Sequence, residues 1–222
     1  EELENLNCQV ICRLNLGHDI GAFKDINLLI DNLEISMKID WLLWCNDSNY
    51  FLGGKNTEIF EKKLMNCLSN NQADIITMWE SKSVKSHCQS YFLCFESKVI
   101  NSKIYKKFWN DYLPLSYRSH AIYNGEIALS QHVLNRFNIQ TIYNTKSIYK
   151  NILNNKNYKS FENIFKHLPN SVCSNLNFRK RYFLIDKEKL QLLIDELEAY
   201  NPSHMYAFLN IVADESPFLK KD

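Results

Sequence analysis

Apolar residues along the chain switch between short unbroken runs and wider helical spacing. CQVIC (8–12), WLLWC (41–45), DIITMW (74–79) and SYFLCF (90–95) are unbroken, as strands buried on both faces would be. Between and after them, GAFKDINLLIDNL (21–33), NTEIFEKKLMNCLS (56–69), NSKIYKKFWNDY (101–112) and NGEIALSQHVLNRF (124–137) repeat apolar residues every three or four positions, which predicts amphipathic helices. IQTIY (139–143) reads as one further short strand. Strand-then-helix alternation predicts an α/β fold, a mainly parallel sheet flanked by helices. Beyond residue 144 the chain turns Asn- and Lys-rich. DKEKLQLLIDELEAY (186–200) and NPSHMYAFLNIV (201–212) then predict a helical C-terminal part, with Asn201 as a cap and Pro202 as the first helical residue. The expected organisation is a core over 1–144 and a helical extension over 145–222 packed against it.

A chain of 222 residues supports one sizeable core, and 45% hydrophobic with 23% charged residues is globular composition. The 13 Phe, 12 Tyr and 4 Trp exceed what a minimal core needs. Most are expected inside, with the remainder available to line a cleft, where flat rings suit sugars and nucleobases. A net charge of +1 excludes a phosphate-tracking nucleic-acid binder, which would carry a basic stripe. The one basic cluster, FRKRYF (178–183), reads as a solvated turn or as a contact for anionic lipid or pyrophosphate. Seven cysteines lack any CxxC or paired zinc spacing, and several, Cys45 and Cys94 among them, sit in apolar runs. They read as reduced core thiols, which predicts a cytoplasmic protein. No apolar run approaches the roughly 18 residues of a membrane span and no signal peptide opens the chain, so any membrane contact is expected to be peripheral.

Open α/β sheets bind ligands at the carboxyl ends of their strands, so polar clusters that follow strands carry the functional information. In RLNLGHDIGAFKD (13–25), Gly17 permits a bend or a close backbone approach. Asp19 suits a sugar hydroxyl, and the helix start offers free N–H groups to an anion. Arg13, Asn15 and Lys24 belong to the same candidate surface; a tight turn with Asp19 as helix cap is the alternative. Asn46, Asp47 and Ser48 form a short acidic motif after a strand, suited to a phosphate-bound Mg²⁺ or Mn²⁺ through Asp47, or else an ordinary polar turn. His87, Gln89, Ser90 and Tyr91 are a set fitted to hydroxyl recognition, although a lone histidine is as readily a structural hydrogen-bonder. Glu126 stands at a predicted helix start, where it either complements the helix dipole or serves as a general base.

With these clusters in this order, the sequence resembles the rhamnan synthesis protein F family, bacterial glycosyltransferase-like proteins of cell-wall and O-antigen polysaccharide assembly. The pieces that carry the resemblance are RLNLGHDIGAFKD, WLLWCNDSNYFLGG, HCQSYFLCFESKVINSKIYKKFWNDY, GEIALSQHVLNRFNIQTIY and NPSHMYAFLNIVADESPFLKK, with 145–185 weakly matched. The same order is similar to the GT-A glycosyltransferase plan. That resemblance implies a donor-binding turn at Asn15, Gly17 and Asp19, a diphosphate motif at Asn46–Ser48 and a catalytic base at Glu126. It further implies a nucleotide-sugar donor, dTDP-rhamnose by family analogy, and a lipid-linked glycan acceptor at the inner membrane face. On that reading the hydroxyl-recognising set His87, Gln89, Ser90 and Tyr91 is expected to contact the acceptor or the diphosphate. Ser48 stands where such enzymes carry a metal-binding aspartate, and the β-α unit that normally grips the nucleotide base precedes CQVIC in that plan. Both departures sustain an alternative: a non-catalytic carbohydrate-binding or assembly module of a larger synthase.

Overall fold

The computed structural model describes residues 8–51, 53–70, 72–82, 84–143 and 216–220. Four of the predicted runs supply the main sheet: β1 (Trp41–Cys45), β3 (Ile75–Thr77), β6 (Phe92–Glu96) and β7 (Ile139–Thr141), in the order β1-β6-β3-β7. The central pair β6 and β3 is buried, as unbroken apolar runs require. β1 lies at the edge, and there only Trp44 is fully buried. Leu43 and Cys45 are exposed, so Cys45 is not the core thiol its setting predicts.

The directions of the strands also depart from expectation. β6 runs antiparallel to both β1 (Trp41 opposite Glu96) and β3 (Ile75 opposite Phe95), and only β3 and β7 are parallel (Ile75 opposite Ile139). The described strands therefore form a mixed sheet, not a mainly parallel one. The cause is the connection from β3 to β6. Instead of a crossover helix it holds β4 (Glu80–Ser81) and β5 (His87–Cys88), a small antiparallel pair, and a chain that reverses without a helix enters the sheet antiparallel. CQVIC forms no strand either: Cys8, Val10, Ile11 and Cys12 are exposed in irregular backbone. It has no cross-strand partner among the described residues, and a lone strand is not stable in water.

The helices follow the pattern more closely. They are α1 (His18–Asn32), α2 (Lys55–Ser69), the short α3 (Ser97–Ile100) and α4 (Lys103–Asp111), which Ser102 caps by accepting the Tyr105 N–H. The single helix predicted for 124–137 is instead a composite. It runs from α5 (Arg118–His120) through a π-helix (Ala121–Ile127) into α6 (Ala128–His132) and a 3-10 turn (Leu134–Arg136). Far along the chain, β8 (Phe218–Lys220) pairs antiparallel with β2 (Asn49–Phe51). The helices expected at 186–200 and 202–212, the basic cluster at 178–183 and Cys173 lie outside the described residues. Among the described residues no helix is long and apolar enough to cross a membrane.

Among the described residues, part of the aromatic surplus is gathered in the core under α1 and α4. Trp44 stacks on Phe23 at 4.3 Å between ring centres and meets Phe95 (4.6 Å) and Trp109 (5.1 Å) edge-on. One buried polar pair interrupts this apolar packing. Tyr105 donates to Asn27 Oδ1 at 2.8 Å while the Asn27 amide donates to the Phe23 carbonyl, so neither residue is left unsatisfied.

The six described cysteines are all free thiols. Burial pushes Cys88 and Cys94 up to about 12, so both are held as thiols at pH 8. In the folded protein Cys8, Cys12 and Cys45 are expected to alkylate readily while Cys88 and Cys94 resist until denaturant is added. Peptide mass spectrometry after a timed iodoacetamide pulse measures this. Equal labelling of Cys94 and Cys45 in native buffer would contradict the packing of β6.

Candidate functional site

Much of the 13–25 segment builds its own turn. The Arg13 Nε–H donates to Asp25 Oδ2 at 2.6 Å and its Nη2–H to the Leu16 carbonyl at 2.7 Å. Lys24 donates to the Asn110 and Tyr112 carbonyls, closing the end of α4. Gly17 has φ +75°, and a β-carbon there would stand 2.6 Å from Pro114 Cβ, so the close approach that needs a glycine is made by Pro114. Asn15 is exposed.

Asp19 is placed differently. It sits in the first turn of α1 and accepts from the Asn46 side-chain amide at 2.8 Å. Asn46 in turn accepts the Ser48 N–H at 3.0 Å, which curls Asn46–Ser48 into a tight turn with Asp47 exposed at its tip. The Asn46 backbone N–H donates to the Tyr91 carbonyl at 3.3 Å. The start of α1, the carboxyl end of β1 and the residues entering β6 therefore meet at one place.

On the far side of Tyr91 the π-helix closes the cluster. π-turns are rare and recur at functional sites. Gly125 is the contact: a β-carbon on it would lie 2.7 Å from Ile20 Cγ2, so only glycine lets this helix approach α1 so closely. Three side chains from the composite helix then grip the 86–90 segment in order. Gln131 donates to the Ser86 carbonyl, Ser130 Oγ accepts the Cys88 N–H at 3.0 Å, and Glu126 Oε1 accepts the Ser90 N–H at 3.0 Å. His87 is buried; its Nδ1–H donates to the Lys85 carbonyl at 2.7 Å, which turns the basic Nε2 toward Glu126 at 3.8 Å. Burial, and secondarily the charge of Glu126, holds the Tyr91 phenol well above its ordinary range. Gln89 is buried with its Oε1 unbonded among the described residues.

The fold thus joins Asp19, Asn46, Tyr91, Ser90, Glu126 and His87 in one chain of contacts, and leaves Arg13, Lys24 and Gly17 to structural work. Ser130 and Gly125 escaped the sequence reading. The only cue was spacing: Glu126 and Ser130 are four residues apart and share a helix face. Among the described residues no group of three His, Cys, Asp or Glu is placed to hold a metal ion. Asp47 alone is too small a donor set to fix Mg²⁺ or Mn²⁺.

These features define a mixed α/β protein whose polar cluster forms where β1, β6, α1 and a π-helix converge. The chain belongs to the rhamnan synthesis protein F family, whose model matches residues 1–173. No curated protein and no solved structure matches it. Membership gives the chain a role in rhamnan polysaccharide synthesis.

Proposed function

We propose that the protein is a glycosyltransferase that moves a sugar, rhamnose by family analogy, from a nucleotide-sugar donor to a growing cell-surface polysaccharide. The observation that carries the reading is the Glu126 carboxylate, held by the Ser90 N–H beside His87 Nε2 and joined through Ser90 and Tyr91 to the Asp19–Asn46 pair. Glu126 takes the proton of the acceptor hydroxyl as that oxygen attacks the anomeric carbon, and His87 presents a basic nitrogen to the same spot. The N–H groups at the start of α1 face the side where the diphosphate leaves, and a helix N-terminus stabilises the charge that develops there. Asp19 and Asn46 position the donor hydroxyls. The acceptor is a lipid-linked glycan, met by a cytoplasmic protein at the inner membrane face. A Mg²⁺ or Mn²⁺ ion at Asp47 would take most of its ligands from the donor diphosphate.

One observation favours a second reading. Arg13 and Lys24, the two cations of the 13–25 segment read as donor-binding, are already engaged by Asp25, Leu16, Asn110 and Tyr112. A carbohydrate-binding module of a larger synthase needs no cation for a departing diphosphate. Thermal shift against a panel of nucleotide sugars, with and without Mn²⁺, separates the two. A donor at 100 times its Kd is expected to add about 2.7 kcal/mol of stability. Stabilisation by oligosaccharide but by no nucleotide sugar would replace the transferase with the module.

A further inference from the structure

We infer that the open groove between α4 and the composite helix binds a phosphorylated sugar. The groove encloses about 520 Å³, room for a sugar phosphate, and is separate from the Glu126 cluster. Asn124 faces it, whereas Glu126, two residues on and so turned nearly to the opposite side of the helix, reaches Ser90.

Its lining divides into a flat apolar wall and a cationic rim. On the wall, Phe108 and Tyr112 lie nearly parallel (17° between planes, 6.1 Å between centres), and the His120 ring continues them at 5.6 Å. His120 is locked in one orientation: its Nε2–H donates to the Leu113 carbonyl at 2.7 Å and its Nδ1 accepts from the Asn124 amide at 2.8 Å. That arrangement leaves the Asn124 carbonyl oxygen to receive a hydroxyl. On the rim, Lys107 is neutralised by Asp111 at 2.6 Å. The side chains of Arg136 and His132, four residues apart, line the groove with no hydrogen-bond or ion-pair partner among the described residues. A groove whose one carboxylate among the described residues is already paired, and whose guanidinium is not, is complementary to an anion. The planar fork of Arg136 matches phosphate oxygens two at a time. Beside a wall of flat rings and a free amide oxygen, the anion it fits is a phosphate carrying a sugar.

Heteronuclear NMR titration of the whole chain tests this without any nucleotide or transfer step, so its result is independent of the catalytic proposal. Glucose 1-phosphate is expected to shift amides of 104–113, 120–124 and 132–136 while leaving 86–91 in place. Glucose and inorganic phosphate are each expected to bind at least about tenfold more weakly. Arg136→Ala and the double variant Arg136→Ala/His132→Ala, both at exposed positions, are expected to weaken glucose 1-phosphate by about tenfold or more, the range of a charge-assisted contact. Tighter binding of octyl glucosyl phosphodiester than of glucose 1-phosphate assigns the groove to a lipid-linked sugar, and the reverse order to a soluble one. Equal affinity for glucose and glucose 1-phosphate, shifts confined to other surfaces, or unchanged binding in the double variant would overturn the inference.

Discussion

Glu126→Gln is expected to lower glycosyl transfer by about 100- to 10,000-fold, the usual worth of a positioned general base. Donor binding and melting temperature should hardly move. The glutamine keeps an oxygen that accepts the Ser90 N–H, so the grip of the composite helix on residues 86–90 survives while the proton acceptor is lost. This separates catalysis from architecture, because Glu126 also belongs to the series of contacts made by Ser130 and Gln131. The measurement is turnover under saturating donor beside a thermal melt of the same preparation. Normal turnover with a lowered melting temperature would make Glu126 a structural residue and give weight to the module reading.

Trp44→Ala is the second large effect, and it falls on stability. Trp44 touches Phe23, Phe95 and Trp109 from an otherwise half-exposed edge strand, so its removal leaves a cavity bounded by rigid rings that cannot collapse into it. A loss of about 3–5 kcal/mol is expected. At about 2–4 °C per kcal/mol for a chain of this size, the melting temperature should fall by roughly 6–20 °C. Trp44→Phe should cost about half of that or less. It keeps one ring and deletes an indole N–H that is buried without a hydrogen-bond partner among the described residues. A change under about 1 kcal/mol for the alanine variant would show that α1 and α4 are not held through this residue.

The hydrophobic pattern located β1 to the residue and found α1, α2 and α4 within a few positions, because each has a face that must be buried and a period that reports it. What the pattern could not carry was strand direction. Periodicity is local, whereas parallel or antiparallel pairing depends on whether the intervening chain contains a crossover helix, and the β4–β5 pair is too short to leave a period. CQVIC misled for the same reason: its composition suits a strand, but a strand also needs a neighbour. In the candidate site, Asp19, Asn46, His87, Ser90, Tyr91 and Glu126 were legible as polar residues beside strands. Arg13 and Lys24 were not separable from them, since a cation that finishes a turn and one that awaits a ligand look alike until their partners are known. The π-helix left no trace in the spacing at all.

The pairing of β2 with β8 sets a kinetic order on assembly. Asn49 joins Lys220 across about three quarters of the chain, whereas Ile75 joins Ile139 across less than a third of it. At synthesis rates of about 5–20 residues per second, the main sheet can close well before Phe218 leaves the ribosome. β2 begins one residue after the Asn46–Ser48 turn, so that turn gains its lateral support last. Closing so long a loop costs little free energy beyond closing a shorter one, but it comes late among the contacts to form. For an interval in its own biogenesis the chain therefore holds a formed core and an unfinished rim beside the cluster, with Phe60 awaiting the Phe218 ring that packs edge-on against it.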